Sequence, residues 1–219
     1  MNPLSILLLG IAALGFSCAD SPRIAPIAGK PVCCATNSEP ATAFTDKSLY
    51  QVDSLWTNDG AQPWKLSALR GRVQVMAMFF ANCTYACPLI VNDMRRIEAA
   101  LPEAMRARVG FTLITIDTER DMPDALRAYR SANKLPLSRW TLLHGTPDDT
   151  LELAALLGVK FKRDASGQFA HSNLITVLNR EGEIIHQLAG LNQNLQETIE
   201  RVSSAAQDPA KRSSPSGLQ

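Results

Sequence analysis

The sequence predicts an α/β fold, a largely parallel sheet with helices on both faces. Three observations carry that expectation. Apolar runs of strand length alternate with helical patterns through the middle of the chain. Two strand-like pieces near the C-terminus flank Asn179-Arg180-Glu181-Gly182, the pattern of an antiparallel hairpin. Two cysteines, Cys83 and Cys87, fall where the first buried strand becomes a helix.

The elements follow in chain order. Ser48 to Leu69 holds short alternating pieces, Leu49-Tyr50-Gln51-Val52 and Ser54-Leu55-Trp56, before Asn58-Asp59-Gly60, and Asp-Gly beside such pieces signals a hairpin. Val73 to Phe80 is apolar except for Gln74, as expected of a strand buried on both faces. After Cys87, Ile90, Met94, Ile97 and Leu101 recur at helical spacing, and Pro88 suits the first turn. Phe111 to Asp117 is the next strand. A helix follows with Asp121 as its N-cap and Pro123 in its first turn. Trp140 to Leu143 is a short strand. Thr146-Pro147-Asp148-Asp149 starts a helix that Gly158 ends. Asn173 to Leu178 and Glu183 to Leu188 form the late hairpin. Leu195, Ile199 and Val202 mark a last amphipathic helix, opened by a box-like Asn194-x-x-Glu197. The final hairpin and the thiol pair narrow the prediction to a thioredoxin-like fold, with an N-terminal β-hairpin extension and an inserted strand-helix segment.

The chain has 219 residues, and 46% are hydrophobic, enough for one substantial core. A formal charge of +1 without a long basic stretch argues against a nucleic-acid partner. Residues 1–19 carry no charge, and Leu4 to Phe16 is strongly apolar, so this stretch reads as an export signal or membrane anchor. Ser17-x-Ala19 offers a cleavage site. Gly15-Phe16-Ser17-Cys18 offers a degenerate lipobox, lacking Leu three places before Cys18. Uncleaved, the stretch is at the short edge of membrane-spanning length, roughly 17–25 residues. All three variants place the protein outside the cytoplasm, and the expected location is the periplasmic side of the inner membrane, anchored or lipidated. Residues 20–47, rich in Ala, Pro, Ser and Thr, read as a flexible linker carrying Cys33-Cys34. Residues 48–205 then form the folded domain, and 206–219 a polar, disordered tail.

Of five cysteines, four remain if Cys18 is removed or lipidated, and they make two close pairs, Cys33-Cys34 and Cys83-Cys87. Pairs of that kind point to chemistry more than to scaffolding. Cys83 and Cys87 are four apart, which places them on one face of a helical first turn. The unpaired N–H groups there favour thiolate. Such thiolates exchange disulfides or hold a soft metal. A metal site needs a third ligand, and the chain has three histidines. His144 and His186 read as ordinary half-buried residues. His171 precedes the strand Asn173 to Leu178, whose start faces the thiol-bearing junction in a thioredoxin-like sheet, and no proline closes that loop. Two thiolates and one imidazole suit trigonal Cu(I), whereas Zn(II) prefers a fourth ligand that is not evident. Asp117, ending the neighbouring strand, is placed for an outer-sphere hydrogen bond or a charge for partner docking.

These residues resemble the Sco/SenC copper-chaperone family. The resemblance rests on Cys83-Thr84-Tyr85-Ala86-Cys87-Pro88, Ile116-Asp117-Thr118-Glu119-Arg120-Asp121, Gly145-Thr146 and His171-Ser172, in the family's order and over about Ser48 to Val202. It implies a thioredoxin-like domain that is exported and tethered through its N-terminus. Such a domain delivers copper, as Cu(I) and also Cu(II), to the CuA centre of cytochrome c oxidase. Its partners would be the CuA-bearing subunit or another copper acceptor, and thiol-disulfide partners. Cys83, Cys87 and His171 match the family's copper ligands. Three departures stand out: Thr84 where Pro is common, Ala170 where Asp commonly precedes the histidine, and Asn179 to Gly182 in place of an Asp-Pro-x-Gly turn. The other function these residues allow is an exported thiol-disulfide oxidoreductase, with Cys83 and Cys87 as its redox-active pair.

Overall fold

The structure is a computed structural model that describes residues 44–165 and 167–207. The expected signal or anchor, Cys33-Cys34 and the tail from residue 208 lie outside the described residues. Among the described residues no helix is long and apolar enough to cross a membrane.

Strand β3 (Val73–Phe79) is buried at every position, as its apolar run requires. Its one polar residue is satisfied internally: the Gln74 amide donates to the Leu69 carbonyl at 3.2 Å and accepts from the Thr112 hydroxyl at 3.2 Å. That amide fills the space over Gly110, where a Cβ would stand 2.5 Å from the Gln74 Oε1. Helix α1 (Ala86–Ala100) leaves the end of β3, and the short α2 (Glu103–Arg106) follows. Strand β4 (Val109–Thr115) returns parallel to β3, in register from Val73↔Val109 to Phe79↔Thr115. Both strands are buried along their whole length, so both faces of the sheet are covered. Helix α3 (Pro123–Ala132) leads to β5 (Trp140–His144), parallel to β4, and then to α4 (Pro147–Leu157). Helix α4 begins as its sequence dictates, with the Thr146 hydroxyl accepting from the Asp149 N–H. It ends at Gly158 with φ 72°.

At the amino end, β1 (Trp56–Asn58) and β2 (Pro63–Trp64) form the expected hairpin, and β1 adds antiparallel to β5. At the other side, β8 (Leu174–Leu178) lies antiparallel to β3, and β9 (Ile184–Ala189) antiparallel to β8. Helix α5 (Gln196–Ala206) packs back across β9 and β3. The strand order is β2-β1-β5-β4-β3-β8-β9. The fold is thioredoxin-like, with the extension and the inserted strand-helix segment in the expected places. Only β3, β4 and β5 run parallel, so the sheet is mixed rather than largely parallel. Each hairpin adds a strand by a short connection, which cannot make a parallel crossover.

Several local expectations need correction. Leu49–Gln51 is a 3-10 turn rather than strand, because the Ser48 hydroxyl accepts from the Tyr50 N–H. Asp59 does more than turn the hairpin. Its carboxylate is paired in a buried, two-pronged contact with Arg130 of α3, whose Nη2 lies 2.9 Å from Asp59 Oδ1. Asp121 does not cap α3, whose N-cap is Met122; its carboxylate turns inward instead. Asn194 and Glu197 form no capping box: Asn194 accepts from the Gln196 N–H, two residues further on, and Leu195 holds the cap position. Ahead of Ser48, the Phe44 ring packs on Tyr50 and lies under the Arg70 guanidinium.

One further element went unpredicted. Strands β6 (Phe161–Arg163) and β7 (Phe169–His171) pair antiparallel as a separate two-stranded sheet. His171 therefore ends a hairpin of its own, where the sequence suggested only a residue ahead of β8.

Candidate metal centre

The thiols sit where β3 gives way to α1. Cys87 occupies the first turn of the helix and is fully buried, while Cys83 is half-buried in the preceding loop. The two do not share a helical turn, as the spacing suggested. The chain between them bends so that the Cys83 sulfur lies over the helix start and accepts the Cys87 backbone N–H at 3.2 Å. That N–H is one of the helix's unpaired donors, and its bond to sulfur strengthens as negative charge develops there. Both cysteines are free thiols. Burial, before any other cause, pushes the Cys87 thiol well above its ordinary value, and the Cys83 thiol and the Asp121 carboxylate add to the rise. The thiol therefore holds its proton at neutral pH until something displaces it.

The β6–β7 hairpin brings His171 to this junction. Its Nε2 lies 3.6 Å from Cys87 Sγ. Its Nδ1 lies 3.0 Å from the Ser172 carbonyl oxygen, which can only accept, so Nδ1 carries the proton and Nε2 presents a lone pair to the sulfurs. Burial holds His171 below the usual imidazole range, and the bond to the Ser172 carbonyl partly offsets that. The ring is gripped edge-on by Phe80, at 5.9 Å between centroids. Phe80 also packs on Phe169 of the same hairpin at 5.4 Å.

One ligand atom from each of Cys83, Cys87 and His171 lies within 4.8 Å of the others. With bond lengths of about 2.3 Å for thiolate and 2.0 Å for imidazole, as a closed-shell d10 ion makes them, trigonal donors stand about 3.7 Å apart. The observed 3.6 Å between Cys87 Sγ and His171 Nε2 matches that edge. Two soft sulfurs and one imidazole are also the donor set for Cu(I). The residues present fit the ion.

Asp117 is not among the three converging donors. It is 1% exposed, so it offers no charge to a docking partner. Its carboxylate is paired with Arg120, whose Nη2 donates to the Gly167 carbonyl at 2.6 Å in the β6–β7 turn. Arg163 of β6 pairs with Glu119 in the same loop. Asp117 thus acts two bonds away, by holding the hairpin that carries His171. His144 and His186 are satisfied elsewhere, on the Thr118 carbonyl at 3.0 Å and the Thr198 hydroxyl at 2.9 Å. Cys33 and Cys34 lie outside the described residues.

Sequence reasoning missed two neighbours of the thiols. Asp121 accepts from the Ala81 N–H at 2.7 Å and the Thr115 hydroxyl at 2.6 Å, bracing the loop that leads to Cys83. Burial, ahead of any charge, raises its carboxyl above the usual range. Tyr129 reaches in from α3, and its buried hydroxyl has no partner. No spacing rule links either residue to the cysteines. The hairpin had a visible signal, Asp164-Ala165-Ser166-Gly167 between Phe161-Lys162-Arg163 and Phe169-Ala170-His171.

Fold and site together define a thioredoxin-like domain with a dithiol–imidazole cluster at its first strand–helix junction. The chain belongs to the SCO1/SenC family, whose model matches residues 47–207. A protein of Stutzerimonas stutzeri named for copper binding is 27% identical over 143 residues, 64% of this chain and 68% of that protein. A SCO1/SenC family lipoprotein from Bacillus anthracis superposes with a TM-score of 0.65 at 21% identity, covering 75% of this chain and 100% of that one. Yeast Sco1 with copper bound superposes with a TM-score of 0.59 at 21% identity, covering 73% and 90%. At such identities the two structures speak for the fold alone.

Proposed function

We propose that this protein binds copper through Cys83, Cys87 and His171 and hands it to an acceptor outside the cytoplasm, the CuA centre of cytochrome c oxidase. The observation that carries this reading is the convergence of three donor atoms within 4.8 Å, with His171 held in the tautomer that offers Nε2. The family and the copper-named relative support it. Each residue has a part. Cys83 and Cys87 give up their thiol protons and bind as thiolates. His171 binds as neutral imidazole. Copper is the cargo, and it leaves by ligand exchange as an acceptor's donors replace these and the thiols regain their protons. Half-exposed Cys83 is the sulfur that an acceptor reaches first. The dithiol must be reduced for loading. The uncharged residues 1–19 support tethering on the periplasmic side of the inner membrane.

The test is a titration of Cu(I) into the reduced full chain against a competing chelator. One tightly held equivalent at this site is expected, and it weakens in Cys83→Ser, Cys87→Ser and His171→Ala. If His171→Ala binds as tightly as wild type, the dithiol–imidazole assignment fails. A second reading uses the same sulfurs for thiol-disulfide exchange with a partner. It is favoured by the asymmetry of one accessible and one buried thiol. Fast turnover of a disulfide substrate without stoichiometric copper would decide for it.

A further inference from the structure

The end of the sheet opposite the thiols carries a basic cleft. Strands β3, β4 and β5 run parallel and all start there, whereas the thiols follow the last residue of β3. At about 3.3 Å per residue, the length of β3 puts the two ends about 20 Å apart. The cleft has a volume of about 380 Å³ and is lined by Arg95, Glu98, Arg106, Lys134, Arg139 and Trp140 among others. Four cations therefore face one carboxylate, and that carboxylate is already engaged. Glu98 pairs with Arg139 and accepts the Trp140 Nε1–H at 2.9 Å. Arg106 donates to the Leu101 carbonyl at 3.0 Å and pairs with exposed Glu103. Arg95 and Lys134 have no carboxylate partner among the described residues. Arg72, just ahead of β3, is held below its ordinary value, by burial first and by the Arg139 charge second. Arg108 precedes β4, and Arg180 turns beside Gly71, so this end is cationic even against Glu181 and Glu183.

The connection from α3 to β5 borders the cleft. Lys134 opens it with φ 50°, a left-handed conformation that glycine or asparagine usually takes after a helix. Leu135 is buried, and its carbonyl accepts from buried Arg130 at 3.1 Å. The Ser138 carbonyl accepts from Arg72 at 3.3 Å, and the Arg139 and Trp140 N–H groups both reach the Pro136 carbonyl. Clasped in this way, the loop presents Leu137 at 78% exposure, the most exposed large apolar side chain among the described residues. A leucine held out between Lys134 and Arg139 gains nothing from a dissolved anion. It gains from a surface that is anionic at its headgroups and apolar beneath them. The described residues also begin at this end, with Phe44 under Arg70, three residues before β3.

We infer, on the tethered reading above, that this end of the domain docks on an anionic phospholipid surface. Lipid phosphates occupy the cleft between Arg95 and Lys134, and Leu137 inserts beneath them. Cys83 and His171 then face away from the membrane, at the far end of the sheet.

The experiment places the full chain in vesicles of phosphatidylcholine alone or mixed with phosphatidylglycerol. A pulse of acetic anhydride labels amines, and mass spectrometry reads Lys134 against Lys162, which lies in β6 near His171. In neutral vesicles both lysines react as they do without vesicles. In anionic vesicles Lys134 is protected by about tenfold or more and Lys162 is not, because several cations act together. About 1 M salt removes the protection, since charges are then screened beyond about 3 Å. Arg95→Gln lowers the protection about fivefold, the worth of one cation near such a surface. Leu137→Gln lowers it about tenfold, the low end of what burying a leucine is worth. Arg95 has no ion pair to lose and Leu137 is exposed, so both variants melt with wild type. Equal reactivity of Lys134 in neutral and anionic vesicles overturns the inference. So does full protection by inorganic phosphate in solution that Leu137→Gln leaves unchanged, which makes the cleft a site for a free anion. A chain that fails to float with neutral vesicles sinks the tethering reading; its Lys134 then supports this docking if anionic vesicles protect it and overturns it if they do not.

Discussion

Raising the pH should tighten Cu(I) binding, and the structure sets both the sign and the least slope. Cys87 is 0% exposed, and burial lifts its thiol above the ordinary 9.0, so it is protonated throughout the neutral range. Copper binds the thiolate, so each loading event must expel that proton, and higher pH favours expulsion. One proton released per ion bound gives a tenfold gain in affinity per pH unit, about 1.4 kcal/mol. His171 starts from an ordinary value of 6.5 and is held below it, so above that pH it is already neutral and releases nothing. From about pH 6.5 to 8.5 the slope therefore belongs to the thiols, and Cys87 alone supplies about a hundredfold. The assay is competition for Cu(I) against a chelator whose own proton affinity is known, repeated across the range. Cys87→Ser should lower the slope by one proton. A flat profile in wild type would mean that Cys87 is not a ligand or is not protonated beforehand, and the reasoning fails in either case.

Three other outcomes are expected. Asp59→Ala leaves the buried Arg130 guanidinium without its carboxylate and should cost about 3–5 kcal/mol. For a domain of this size that is a fall of about 6–20 °C in Tm, read by circular dichroism or calorimetry. Arg120→Ala removes the strut between buried Asp117 and the Gly167 carbonyl and should weaken Cu(I) binding about tenfold, with a lowered Tm because the Asp117 carboxylate is left buried and unpaired; unchanged affinity would show that the hairpin needs no strut. Removing the residues before Phe44, and with them Cys33 and Cys34, should slow copper loading in stopped-flow without altering final affinity. Unchanged rates would leave that cysteine pair outside the copper route.

What could be read in advance followed from how each feature is encoded. The all-buried strand Val73–Phe79 and the helix bounded by Thr146 and Gly158 are written in periodicity and capping, which act over a few neighbouring residues. The same locality misled at Asp121 and Asn194. Each has the chemistry of a helix cap, but Asp121 instead braces a loop forty residues earlier, through the Ala81 N–H. The hairpin β6–β7 is too short for alternation to stand out, and its Phe169 packs on Phe80, the residue just past β3.

By itself the sequence determined the donor chemistry of this protein. It supplied two cysteines at a strand–helix junction, a histidine ahead of a late strand, and the order of elements that makes a thioredoxin-like sheet. Tertiary structure alone decided how those donors meet. Cys83 folds back over the helix start, the hairpin carries His171 across 84 residues of chain to within 3.6 Å of Cys87, and the Ser172 carbonyl fixes which nitrogen faces the sulfurs. It also decided the surroundings, including the inward turn of Asp121. The physical reason is range. Propensity and capping act along a few residues of chain, whereas distance, burial and tautomer at the centre depend on contacts among β3, α1 and the β6–β7 hairpin that exist only once the domain has closed.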